Sequence, residues 1–173
     1  MRKALYIMGI LEDTDVSWLG DNGNKLLVPG GKVLVREGEP NDSLFIVLNG
    51  ELTVATRTRG EIARLRAGEI VGEISFVDSR PPSATVVASR ESLVLSIPRA
   101  ALRHKLEADA WFAAHFYRAL ATLLADRLRA AVSVGVQHGD DDDPEELDFE
   151  MMDNAARGAS RFDRLMKGAR TGA

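Results

Sequence analysis

The sequence predicts a mainly β domain flanked by helices. Two observations carry this. From Lys25 to Ile97 the chain is a series of short β-rich runs separated by glycine-bearing turns. After Pro98 the apolar spacing switches to three and four, the helical period.

Residues 1–23 precede the β region and have helical character. Residues 2–10 read as one mixed helical stretch. Thr14 is a candidate cap for a second short helix carrying Val16, Trp18 and Leu19, which stops near Gly20 and Gly23. The β region spans residues 24–97. Its runs are KLLV (25–28), KVLVRE (32–37), SLFIVLNGELTVATR (43–57), EIARL (61–65), EIV (69–71), ATVVA (84–88) and SLVLSI (92–97). Strands this short and this regularly spaced suit an antiparallel sandwich or barrel. Asn49-Gly50 predicts a tight hairpin, because both residues tolerate positive φ.

Residues 98–134 predict C-terminal helices. Leu102, Leu106, Phe116, Leu120, Leu123, Leu124, Leu128 and Ala131 mark an apolar stripe. A break near 108–111, with Asp109 capping the second helix, divides them in two. Residues 135–173 form an acidic linker and a short amphipathic tail. Residues 140–153 carry nine acids and no Lys or Arg, whereas 154–173 carry five bases against Asp163 alone. One reading is a solvated linker followed by a marginal helix. The other docks Leu147, Met151, Phe162 and Leu165 on the body or on a protein partner, with the two charge blocks pairing.

Composition excludes several classes. The chain has no cysteine, so disulfides, thiolate catalysis and Cys-based metal sites are ruled out. That suits a reducing cytoplasm. No apolar run reaches the roughly 20 residues that span a bilayer, and the N-terminus lacks a cleavage signature. A net charge of −4 argues against a broad nucleic-acid surface. The three histidines, His104, His115 and His138, are too scattered to predict a metal site. None precedes His104, which argues against a metal-dependent enzyme built on a small barrel. No Walker loop, Ser/His/Asp spacing or catalytic carboxylate pair stands out, so the chain is expected not to be an enzyme.

The most informative stretch is residues 72–88, GEISFVDSRPPSATVVA. A Gly-Glu pair opens it, Pro81-Pro82 bends it, and Ser83-Ala84-Thr85 leads into a β-branched strand. With Gly31, Gly38, Gly50 and Gly68 in order before it, this stretch resembles the phosphate-binding cassette of cyclic-nucleotide-binding domains. These occur in Crp/Fnr-type regulators, regulatory subunits of protein kinase A and cyclic-nucleotide-gated channels.

The resemblance covers about Trp18 to Leu128. It implies a double-stranded β-helix (jelly roll) with C-terminal α-helices, and cAMP or cGMP as the ligand of a stand-alone regulatory domain. Signalling would follow from movement of the C-terminal helices. It implies that Gly72 approaches the ribose, that Glu73 accepts the 2′-hydroxyl, and that the turn at Ile74 and Ser75 helps with the anion. It also implies a homodimer through the 111–131 helix. The Crp-type helix-turn-helix has no counterpart in 132–173, so no direct DNA binding is expected.

One position departs from the family pattern. Where the cassette carries an arginine for the cyclic phosphate, this chain has Pro82. A hydrogen bond to a charged group is worth about 1.5–3 kcal/mol net, so its loss weakens binding roughly ten- to more than hundredfold. Proline also lacks an N–H donor. Arg80 is the candidate replacement, with a solvated loop arginine as the competing reading. Ser83 and Thr85 offer hydroxyl donors or simply turn chemistry. Glu73 either serves a ligand or accepts local backbone amides. Two functions therefore compete: a cyclic-nucleotide receptor, and a degenerate relative acting as a ligand-independent interaction or scaffold module.

Overall fold

The computed structural model describes residues 8–135, 149–168 and 170–171. Residues 8–10 are helical and lead to α1 (Asp13–Asn22). Its start is fixed at Glu12 rather than Thr14. The Asp15 carboxylate accepts the Glu12 N–H at 2.8 Å in a capping box. Acidic side chains serve this end better than a hydroxyl, because they also face the positive end of the helix dipole.

Eight strands follow: β1 (Asn24–Val28), β2 (Val33–Val35), β3 (Ser43–Asn49), β4 (Glu51–Thr56), β5 (Gly60–Arg66), β6 (Ile70–Val71), β7 (Thr85–Ala88) and β8 (Ser92–Pro98). A six-residue helix, α2 (Glu73–Asp78), separates β6 from β7. One sheet has the order β6-β3-β8-β1, and the other β2-β7-β4-β5. All these pairings are antiparallel. The two sheets form the double-stranded β-helix.

Asn49-Gly50 does not close a hairpin. It ends β3 and opens β4, and those strands lie in different sheets. The reason lies in β3, whose residues 44–48 are all buried, so both of its faces need apolar cover. Pairing with β8, itself buried at Val94, Leu95 and Ile97, supplies that cover. Gly50 (φ 99°) turns the chain across to the other sheet, and a Cβ there would lie 2.2 Å from Ser92 Oγ. The hairpin forms one connection later, between β4 and β5, where Thr56 faces Gly60.

The alternation of β3 divides the interior. Leu44, Ile46 and Leu48 face the helices, in one core with Leu95, Ile97, Phe112, Phe116, Leu120 and Leu123. Phe45 and Val47 face the inside of the roll, with Val35, Leu65, Val71, Val86 and Val94. Phe112 and Phe116 stack at 5.7 Å, and Trp18 meets Phe112 edge-on at 5.2 Å.

After β8 come α3 (Arg99–Ala108) and α4 (Ala110–Gly135). Asp109 Oδ1 accepts the Trp111 and Phe112 N–H groups at 3.1 and 3.0 Å and caps α4. The last elements are α5 (Phe149–Gly168) and a short strand, β9 (Arg170–Thr171), parallel to β1.

The tail docks rather than floats over the described part of α5. Leu165 is 1% exposed in the helical core, and Phe162 packs against that core. Arg161 and Arg164 reach Asp13 of α1 at 2.8 and 2.9 Å, and Lys25 Nζ donates to Met166 O. The bases thus pair with α1. Leu147, the Met151 side chain and the acidic run 140–148 fall outside the described residues.

The guanidinium groups of Arg161 and Arg164 hold the Asp13 carboxyl below its ordinary range. A carboxyl depressed in the folded state stabilises above its unfolded pKa, and the effect is lost as pH falls through the folded value. Acidification below the carboxylate range should therefore loosen α5 from α1. Amide protection over 154–168, corrected for the intrinsic slowing of exchange in acid, should fall there, and unchanged protection would remove Asp13 from the docking contact.

Candidate functional site

The site is built where β6 leaves the sheet. Gly72 follows Val71 with φ 89°, and an added Cβ would lie 3.1 Å from Asn41 Nδ2 and 3.3 Å from Ser43 O. The Asn41 amide is already committed, donating to Ser43 O at 2.7 Å. Gly72→Ala should therefore destabilise the protein by about 1–2 kcal/mol through the left-handed backbone alone. A thermal midpoint equal to the parent's would contradict this.

Glu73 opens α2 and is 2% exposed. Its carboxylate accepts a hydrogen bond from Arg127 Nη1, and Arg127 Nη2 donates to Ile70 O at 2.7 Å. The partner of Glu73 is therefore a side chain of α4, 54 residues away, rather than local backbone. Ser75, also buried, is held from below by α3: Arg99 Nη2 donates to Ser75 Oγ at 2.5 Å and to Gly72 O at 2.9 Å. Ile74 is half exposed.

Ser79 ends α2 in a left-handed conformation (φ 59°), and the chain then turns through Arg80-Pro81-Pro82. Pro82 is buried, and its carbonyl accepts the Gly38 N–H at 2.8 Å. Thr85 Oγ1 accepts the Glu37 N–H at 3.1 Å, so that hydroxyl stitches β7 to the loop after β2. Arg80 has a side chain 84% exposed and lies 3.9 Å from Asp78.

These pieces frame a cleft of about 430 Å³ of empty space, counting its open mouth. Its inner wall is Val35, Val54, Leu65, Val71 and Val86, the open end of the core inside the roll. The sequence-selected Gly72, Glu73, Ile74, Ser75, Pro82, Ser83 and Ala84 meet along its rim. Arg80 and Thr85 do not line it. Among the described residues Arg127 is the one cation that does. Chemically, the cleft offers an apolar wall and, on its rim, a carboxylate paired with a guanidinium.

Arg127 is the residue that reading the sequence misses. The expected stripe ran Leu120, Leu123, Leu124, Leu128, but Leu128 is 67% exposed. Leu120 and Leu123 are buried, and the next step of four is Arg127. A cation in register with the buried stripe of a helix is the signal that could have found it.

An eight-stranded roll with a Gly-Glu turn, a buried rim carboxylate and a helix leaning on it has the architecture of a regulatory domain. Residues 25–109 match the family model for the cyclic nucleotide-binding domain. Those residues form a domain of that family. It is 39% identical over 71 residues to a cyclic nucleotide-gated potassium channel of Rhizobium etli, covering 41% of this chain and 19% of that one. It is 31% identical over 127 residues to an NTE family protein of Mycobacterium tuberculosis, covering 71% and 22% respectively. The chain thus spans about a fifth of the length of these curated relatives. A cyclic nucleotide-binding domain from Methylobacillus flagellatus superposes with a TM-score of 0.68 at 27% identity, over 80% of this chain and 84% of that one.

The described residues after α4 hold no helix-turn-helix, and their one helix packs on α1. Among the described residues no helix is long and apolar enough to cross a membrane, and no group of His, Cys, Asp and Glu could hold a metal ion.

Proposed function

We propose that the chain is a regulatory cyclic-nucleotide receptor whose cleft takes cAMP or cGMP, and whose phosphate cation is Arg127. The observation that carries this is the Arg127–Glu73 pair at the cleft rim. The base lies on the apolar wall, and Glu73 accepts the ribose 2′-hydroxyl. Arg127, whose fork presents several donors, is shared between Glu73 and the phosphate. Because Arg127 belongs to α4, a ligand that draws on it biases where α4 sits. That is the coupling a regulatory domain needs. The protein acts by binding rather than catalysis, in the cytoplasm, in keeping with a chain that has no cysteine.

Trp111, Tyr117, Leu128 and Val132 stand exposed along α4. They give a second copy an apolar strip to pair with, making α4 both sensor arm and homodimer surface. Light scattering that returns a monomer mass at high protein concentration would remove this part.

A second reading is favoured by one observation. Glu73 already has a cation, and Pro82 is packed in place of the family's arginine. The roll would then be a scaffold without a ligand. Titration calorimetry with cAMP and cGMP on the parent and on Pro82→Arg separates the two. Saturable heat in the parent supports the receptor. A silent parent with a binding Pro82→Arg variant supports the scaffold.

A further inference from the structure

Behind the cassette lies a second hollow, of about 800 Å³ of empty space with a wide mouth. Pro82 lines both cavities and is the partition between them. Three arginines face this outer hollow: Arg80, Arg99 and Arg103. Asp42 is the one acid among its lining residues.

These guanidinium groups are incompletely answered. Arg80 meets Asp78 only at 3.9 Å, and Arg103 Nη2 reaches no closer than 3.4 Å to Ser79 Oγ. Arg99 spends Nη1 and Nη2 on Ser75 and Gly72, but its Nε is buried with no acceptor. Burial, and then the like charge of Arg103, hold the Arg99 guanidinium below its ordinary pKa. An anion in the hollow would relieve that repulsion.

We propose that this hollow is an anion site for the phosphate group of a small molecule, gripped by Arg80 and Arg103 and backed by Arg99. The planar fork of arginine matches the oxygen spacing of a phosphate. The open mouth suits a phosphate presented on something larger. Pro81-Pro82 faces Arg80 outward, so the cation beside position 82 serves the hollow instead of the cleft. Arg99 also donates to Gly72 O and Ser75 Oγ under the cleft rim. Arg99 therefore lines the hollow and reaches the cleft through Gly72 and Ser75, which lie on its rim, so occupancy of one cavity is relayed to the other.

The test is calorimetric titration of the full chain with inorganic phosphate and with 5′-AMP, at ionic strength fixed with chloride. Adenosine is the control without phosphate. Saturable binding of phosphate is expected, about tenfold weaker or more in Arg80→Ala and again in Arg103→Ala. Arg103 lies over the Phe76 ring at 5.7 Å, so Arg80→Ala, which disturbs no packing, is the decisive variant. Stronger binding of 5′-AMP than of phosphate marks a nucleotide as the carrier, and equal binding marks free phosphate. Phosphate binding should survive Arg127→Ala, which separates this site from the cleft. No saturable binding, equal affinity in Arg80→Ala, or loss only with Arg127→Ala would each overturn the proposal.

Discussion

Replacing Arg127 by alanine should abolish cAMP and cGMP binding in the cleft and destabilise the fold by about 3 kcal/mol. The stability loss follows from burial. Glu73 is 2% exposed, and removing one partner of a buried ion pair costs about 3–5 kcal/mol because a lone charge stays behind. The lower end applies, since Arg127 retains some contact with solvent. Urea unfolding measures the first effect, and Glu73→Gln in the Arg127→Ala background should recover most of it. The binding loss follows from charge. Without Arg127 the phosphate would face a second anion in an apolar cleft. Adding Pro82→Arg to Arg127→Ala should restore binding, because it returns a cation to the cassette. Nucleotide affinity unchanged in Arg127→Ala would eliminate Arg127 as the phosphate ligand.

Leu165→Ala should cost about 2–5 kcal/mol, the range for emptying a buried leucine site. Leu165 lies in one core with Met8, Leu11, Val16 and Leu19 and is 1% exposed. Among the described side chains of α5 it is the most deeply buried. A urea midpoint equal to that of the parent would mean that α5 is not docked in solution. The ion pairs of Arg161 and Arg164 with Asp13 cannot make up this loss, because Asp13 faces solvent, which screens them.

What the sequence made legible was local. The strand runs, the Asp109 cap and the Gly72-Glu73 turn each declare themselves within a few residues. So did the departure at Pro82. What stayed hidden depends on partners distant in the chain. Asn49-Gly50 has the chemistry of a hairpin, but whether β3 folds back on β4 or crosses to the other sheet depends on β8, some forty residues later. Arg127 looks like any surface arginine until α4 is rotated so that Leu120 and Leu123 point inward. The destination of Arg80 turned on the direction of a Pro-Pro unit, which fixes a backbone path without saying what lies on either side. The choice between Thr14 and Glu12 as helix start was decided by a reciprocal bond from Asp15, a residue that also meets His115 at 2.9 Å, a hundred residues on.

The docking of α5 also bears on the order in which the chain can assemble. Lys25 and Met166 touch across 141 residues, and β9 pairs with β1 at residues 170–171. Closing so long a span comes late, because its loop entropy must be met before the contact stabilises anything. Until then the edge of β1 at Asn24 and Lys25 is unpaired. A chain still assembling therefore offers that edge as a template for another strand until residues 170–171 reach it.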